Sequence, residues 1–137
     1  MRFLCIDLGD KRTGLAVCDG EEILASPLAV LEGQKNLCEE IEKIIHQYQI
    51  EALVLGLPLN MDGSEGERAV KTREFAEEIK SRINLPMFFQ DERLSSYSAG
   101  QKLSQTGLTH KKKKDRIDAI AAAEILKSFI EKRKTLS

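Results

Sequence analysis

The chain has 137 residues, of which 42% are hydrophobic and 31% are charged, and its formal net charge is −1. This length supports one domain over residues 1–137 with a substantial core, and it is too short for two large lobes. The balanced charge excludes a uniformly basic protein that wraps nucleic acid, but it permits local basic patches.

The cysteines and the apolar segments indicate a soluble protein of a reducing compartment. Cys5, Cys18 and Cys38 lack both the C-x-x-C pattern and zinc-binding spacing, so we expect reduced, buried thiols. No apolar stretch approaches the ~18 residues that a membrane span needs, and the N-terminus lacks signal-peptide features. We therefore expect a cytoplasmic location and no membrane contact.

The first residues predict a strand that ends in a carboxylate. An apolar run over residues 3–6 leads to Asp7, and Gly9 and Gly14 bracket a turn before a second strand at about 13–19. A lone aspartate at a strand end is more often a turn residue than a catalyst, because its side chain bonds to nearby backbone. Its importance depends on whether other carboxylates reach it.

A third strand and a helix follow. Asp19-Gly20 signals a hairpin, and residues 23–31 predict a strand that Pro27 confines to an edge of the sheet. From Asn36 to Tyr48 the apolar residues recur with helical spacing. Three antiparallel strands and a helix therefore open the fold.

The middle of the chain predicts a fourth strand and a second helix. Residues 53–57 form an apolar run that is too short for a helix. In the polar loop that follows, Ser64 and Glu67 predict a capping box, and the helix should extend to about Ile83.

The last third predicts a fifth strand and two helices. The strand covers residues 86–90, and Asp91 and Glu92 stand at its end. A serine-rich segment should begin a short helix that Gly107 stops. After a run of lysines, which we expect to be a loop, a final helix should cover about 115–132.

This order of elements predicts an α/β fold with a five-stranded mixed sheet. Three antiparallel strands come first, and helical crossovers then add two parallel strands, which places helices on both faces. In such sheets ligands gather at the carboxyl ends of the parallel strands. Asp7, Asp91 and Glu92 meet at that edge if the first, fourth and fifth strands are parallel neighbours.

Several carboxylates in one place favour a divalent metal. Like charges repel unless a cation neutralises them, and ligation by oxygen alone favours Mg²⁺ or Mn²⁺ over Zn²⁺. Two such ions ~3.5 to 4 Å apart can stabilise both the attacking and the leaving oxygen of a phosphodiester displacement. Taken singly, Asp91 is a charged turn residue and Asp118 is a first-turn helix acid. Together, the acids favour a two-metal site.

Four segments, in order over nearly the whole chain, carry a family resemblance. They are Asp7-Leu8-Gly9-Asp10-Lys11-Arg12-Thr13-Gly14, Gly56-Leu57-Pro58-Leu59-Asn60-Met61-Asp62-Gly63, Asp91-Glu92-Arg93-Leu94-Ser95, and Lys111-Lys112-Lys113-Lys114 ahead of Asp118. They resemble the YqgF/RuvX family of Holliday-junction-resolvase-like bacterial proteins, which are regarded as nucleases of precursor 16S ribosomal RNA (rRNA). The resemblance implies a ribonuclease H-like fold and a metal-dependent hydrolase that matures the 5′ end of 16S rRNA in ribosome biogenesis.

Carried over residue by residue, the resemblance implies that Asp7, Glu92 and Asp118 are catalytic and hold the metal. Related resolvases have their second acid at the end of the fourth strand, whereas this strand ends in Gly56-Leu57-Pro58. The role is therefore expected to have moved to the fifth strand. Strand alternation lets only one of Asp91 and Glu92 face Asp7, and we favour Glu92.

Asp115 is a further candidate for the metal site. It lies three residues before Asp118, on the same helical face, and related resolvases place two acids at this spacing. The family pattern does not require an acid there, and an acid near a helix N-terminus is also explained by the helix dipole.

Basic residues near the acids are the expected contacts with substrate phosphates. They are Lys11, Arg12, Arg93, Lys111, Lys112, Lys113, Lys114 and Arg116. Such contacts weaken with salt, and the lysine run is otherwise explained as a solvated loop. With no Trp in the chain, and with Phe88 and Phe89 inside an apolar strand, stacking platforms for single strands are scarce.

Three classes of function fit these features. A nuclease needs the acids, whereas a non-cleaving nucleic-acid-binding factor in rRNA processing or transcription needs only the lysines. A phosphotransferase of the actin and sugar-kinase type needs two lobes, which 137 residues do not supply. We expect a nuclease of precursor 16S rRNA, free or in a ribosomal particle, and the alternative substrate is structured DNA, as for a resolvase. The expected oligomeric state is a monomer or a weak homodimer.

Overall fold

The computed structural model describes residues 1–21, 24–33, 35–92 and 110–136, and within the last segment it describes the side chains of 118–134. The strands are β1 (Phe3–Leu8), β2 (Arg12–Cys18), β3 (Ala25–Glu32), β4 (Ala52–Leu57) and β5 (Met87–Asp91). The helices are α1 (Leu37–Gln47), α2 (Glu67–Arg82) and α3 (His110–Leu136).

The five strands form one mixed sheet in the order β3-β2-β1-β4-β5. The first three strands are antiparallel, β4 runs parallel to β1, and β5 runs parallel to β4. The predicted sheet is therefore confirmed, and the carboxyl ends of β1, β4 and β5 lie at one edge.

Two hydrophobic cores lie on opposite faces of this sheet, as predicted. In β1, Leu4 and Ile6 pack towards α1 and α2, whereas Phe3 and Cys5 pack towards α3. Because side chains alternate along a strand, Asp7 continues the row of Phe3 and Cys5 on the α3 face.

Two local predictions were wrong. The capping box does not form: α2 begins at Glu67 after Gly66, and the Ser64 hydroxyl donates to Asp62 Oδ1 instead. The lysine run is not a loop, because α3 already begins at His110. The expected short helix that ends at Gly107 lies outside the described residues.

The three cysteines are buried, as expected, and none of them is in a disulfide. Within the described ranges, no helix combines the length and the apolar character that a membrane crossing needs.

Candidate active site

Asp7 lies between two glycines at the carboxyl edge of the sheet. It pairs with Gly14 of β2, and the register that places Ile6 opposite Leu55 puts Gly56 of β4 on its other side. Both glycines present their missing side chain to the α3 face, where atoms of Asp118 and Ile125 lie close. Because neither glycine has a side chain, there is space above the sheet on both sides of the Asp7 carboxyl group.

On the β2 side, helix α3 occupies this space. A Cβ atom on Gly14 would overlap the backbone carbonyl oxygen of Asp118, so the close approach of the helix requires glycine. Arg12 Nε donates a hydrogen bond to Asp118 Oδ2 at 3.0 Å, and the two side chains are 29% and 32% exposed. The Asp118 carboxylate is thus held in an ion pair with Arg12.

On the β4 side, the Glu92 side chain occupies the corresponding space over Gly56. The Glu92 backbone N–H lies 3.4 Å from the Leu57 carbonyl oxygen, just beyond the last residue of β5. Its carboxyl group lies over Gly56 and is hydrogen-bonded to the Asp7 carboxyl group. Glu92 Oε2 is buried and has no hydrogen-bond partner in the described part of the chain.

The environment of this acid pair disfavours two negative charges. Burial raises the pKa of Glu92 to about 9, and the adjacent charge of Asp7 and their shared hydrogen bond add to the rise. Burial also raises the pKa of Asp7, although the hydrogen bond with Glu92 and the positive charge of Arg68 oppose that rise. At neutral pH the pair therefore retains a proton unless a cation replaces it.

The acid pair fits a divalent cation in its chemistry. Carboxylate oxygens are the ligands that Mg²⁺ and Mn²⁺ prefer, and Glu92 Oε2 is a buried acceptor whose lone pairs are unused by the described residues. Over those same residues, however, no three Asp, Glu, His or Cys side chains converge as a ready metal cluster. The structure brings Asp7 and Glu92 together and leaves Asp118 with Arg12.

The structure gives less detail for the other predicted site residues. Asp91 is the exposed last residue of β5, and Lys11 is exposed in the turn after β1. Arg93 lies outside the described residues. The remaining candidates lie in the first turns of α3, where only the backbone is described: Lys111, Lys112, Lys113, Lys114, Asp115 and Arg116.

Arg68 is a candidate that sequence reasoning missed. It is exposed in the first turn of α2, and its positive charge lowers the pKa of both Asp7 and Glu92. Its guanidinium group forms no ion pair with the described residues. A helix that crosses over from a parallel strand begins at the carboxyl edge of the sheet, so its first-turn cations were a recognisable signal.

Comparison with known proteins gives the chain a family context. The RuvX family model, described as Holliday junction resolvase, matches residues 1–132. A Syntrophomonas wolfei protein named "Putative pre-16S rRNA nuclease" is 39% identical over 133 residues, which covers 96% of this chain and 94% of the relative. A Paracoccus denitrificans protein of the same name is 41% identical over 133 residues, covering 96% and 84%.

Solved resolvase structures share the fold. Thermus thermophilus RuvC in complex with a Holliday junction substrate has a TM-score of 0.63 at 16% identity, covering 100% of this chain and 98% of that chain. The yeast mitochondrial Holliday junction resolvase has a TM-score of 0.57 at 12% identity, covering 98% and 79%. The predicted ribonuclease H-like fold is confirmed.

Proposed function

Because the chain belongs to the RuvX family, we propose that it is a metal-dependent nuclease that matures the 5′ end of precursor 16S rRNA. The observation that carries this proposal is the half-buried acid pair of Asp7 and Glu92 at the carboxyl edge of the sheet, in which Glu92 Oε2 is fully buried. A structural role would favour neutral side chains there, whereas a pair that needs a cation suits phosphodiester chemistry. The names of the relatives supply the substrate class.

Asp7 and Glu92 would hold Mg²⁺ or Mn²⁺, with Asp118 as the expected third acid and Asp91 and Asp115 as further candidates. When bound, one or two such ions supply the charge that stabilises the attacking and leaving oxygens. The chain itself fixes the acids: Asp7 stands on the central strand, and Asp118 stands on a helix seated against that sheet.

Arg12 forms an ion pair with Asp118 and would also bind a substrate phosphate. A substrate phosphate offers its guanidinium group a strong alternative partner, because arginine binds phosphate through paired hydrogen bonds. Asp118 lies on the helix that packs against the Asp7 face of the sheet, so a phosphate bound by Arg12 would arrive beside the expected third acid.

Other cations extend this phosphate-binding surface. Lys11 and Arg68 are exposed at the same edge of the sheet, and the positive charge of Arg68 acts on both acids. We place the remaining phosphate contacts on Arg93, Lys111, Lys112, Lys113, Lys114 and Arg116. A phosphate drawn between these cations and the acid pair lies where hydrolysis is proposed to occur.

The test is cleavage of a precursor 16S rRNA 5′ leader with Mg²⁺ or Mn²⁺. We expect the intact protein to cut and Asp7→Asn to lose activity by at least a hundredfold, with its fold retained. Asp19→Asn, an exposed aspartate at the opposite end of β2, is the matched control and should cut normally. Equal activity of Asp7→Asn and the intact protein would refute the proposed site.

Two other outcomes identify the alternatives. Tight RNA binding without cleavage under any metal would indicate a non-cleaving factor in rRNA processing. Cleavage of a four-way DNA junction in preference to the leader would favour a resolvase, the activity suggested by the shared fold with RuvC on its junction substrate.

A further inference from the structure

We propose that Gly56 is a positioning residue for Glu92: its missing side chain is the space in which the Glu92 carboxyl group reaches Asp7. This inference rests on the proposed role of Glu92 in the nuclease site. Related resolvases have their second acid at the end of the fourth strand, whereas in this chain Gly56 stands there and leaves room for Glu92.

The geometry leaves little freedom for a side chain at this position. A Cβ atom on Gly56 would lie 2.5 Å from Glu92 Oε2 and 2.8 Å from Ile125 Cδ1. Both distances are below normal van der Waals contact, and Ile125 is a buried residue of α3. The Glu92 carboxyl group is therefore enclosed between the bare backbone of β4 and the helix.

Backbone conformation does not explain this glycine. The positive-φ glycines of the described residues are Gly33 and Gly63, and Gly56 is not among them. It lies in a central strand between β1 and β5, where glycine weakens the sheet because it adds backbone entropy and buries no side chain. Glycine in such a strand commonly marks the close approach of another group, and here that group is the Glu92 carboxyl.

The consequence is that the second acid arrives from β5 rather than from β4. Gly56 pairs with Gln90 of β5, two residues before Glu92, so the Glu92 side chain must fold back across β4 to reach Asp7. A Cβ atom at residue 56 would occupy the space that the end of the Glu92 side chain now fills, so the Glu92 carboxyl group would have to shift. Alanine, with a single added carbon, is the smallest change that does this.

A double-mutant cycle in metal-free buffer with EDTA tests the contact. Gly56→Ala in the full chain should lower the melting temperature by roughly 3–10 °C, the cost of overpacking in a domain of this size. In the Glu92→Ala background the same change should cost less than half as much, because the closest obstructed atom is gone. Gly20→Ala is the control, since a Cβ there meets nothing within 4 Å, and should leave melting unchanged.

Metal binding gives a second readout without RNA. Titration calorimetry with Mn²⁺ alone should show at least a tenfold weaker affinity for Gly56→Ala than for the unaltered protein. Equal melting losses in both backgrounds, or unaltered Mn²⁺ affinity in Gly56→Ala, would overturn the proposal. If Gly56→Ala does not fold, folding of the double variant supports the proposal and its failure overturns it. Absence of RNA cleavage by the unaltered protein would remove the proposed function only, because the cycle in EDTA still decides the role of Gly56.

Discussion

Replacing Glu92 by glutamine should make the metal-free protein more stable at neutral and alkaline pH. In the folded protein the Glu92 carboxyl group is buried beside Asp7, which raises its pKa from 4.5 to about 9. Glutamine has the same shape, carries no proton that can be lost, and can still donate a hydrogen bond to Asp7. Glu92→Gln therefore keeps the contact and removes the titration.

The sign and size follow from proton linkage. A group whose pKa is raised on folding contributes its full stability below the unfolded pKa and loses it as the pH rises through the folded pKa. From pH 4.5 to pH 7 the wild-type protein should lose about 3 kcal/mol relative to the variant, at about 1.4 kcal/mol per pH unit. The loss should continue towards pH 9 and then level off.

Urea denaturation of both proteins in EDTA, at intervals from pH 5 to pH 9, measures this difference. The unfolding free energies should diverge as the pH rises, and Mg²⁺ should narrow the gap by stabilising the wild type alone. Parallel curves across the whole range would refute the reasoning, because they would mean that the Glu92 carboxyl group ionises as easily in the folded as in the unfolded protein. Asp91→Asn is the matched control, since Asp91 is exposed and its charge is only the smallest named cause of the raised pKa of Glu92, so its curve should stay much closer to the wild type than that of Glu92→Gln.

Three further outcomes are expected. In the cleavage assay Glu92→Gln should cost far more activity than Asp91→Asn, and equal severe losses would show that both acids enter the site. Replacing Lys111–Lys114 by glutamine should weaken RNA binding alike for unrelated sequences and reduce the salt slope by up to roughly 0.7 per lost single-strand contact, with little change in melting. Unchanged RNA affinity and an unchanged salt slope would mean that RNA binding depends on the other cations. Arg12→Gln removes a proposed phosphate contact and should weaken RNA binding, and unchanged RNA affinity would contradict the role of Arg12 in binding phosphate.

Local patterns in the sequence were enough to predict the sheet and the position of Asp7. The apolar run before Asp7 and the short apolar run of β4 are buried on both faces, so their composition alone marks them as central strands. The edge position of β3 followed from Pro27, which cannot donate a hydrogen bond to a neighbour.

The contacts that complete the site could not be predicted, because they join residues that are distant in sequence. Arg12 and Asp118 are 106 positions apart, and nothing local to either residue signals their pairing. The space over Gly56 exists only when β4, β5 and α3 are assembled. From the sequence alone, Gly56 is recognisable only as part of the end of a strand.

The two wrong local predictions have separate physical causes. Ser64 could cap α2, but its Oγ accepts a hydrogen bond from Asn60 Nδ2 and its backbone N–H donates to Asp62 Oδ1, which takes both groups that a capping box would use. The lysine run was expected to be a solvated loop, but lysine is an intrinsically good helix former and α3 extends through the run.

The Arg12–Asp118 pair also has a consequence for folding. A contact across 106 positions closes one of the longest loops that this chain can form, and its entropic cost is met only when α3 packs on the sheet. Local opening of α3 would withdraw Asp118 while Asp7 and Glu92 stay together, since Asp7 is on β1, Glu92 directly follows β5, and both strands pair with β4. Amide hydrogen exchange in α3 should therefore be faster than in β1, and its rate would report how often the Arg12–Asp118 pair opens.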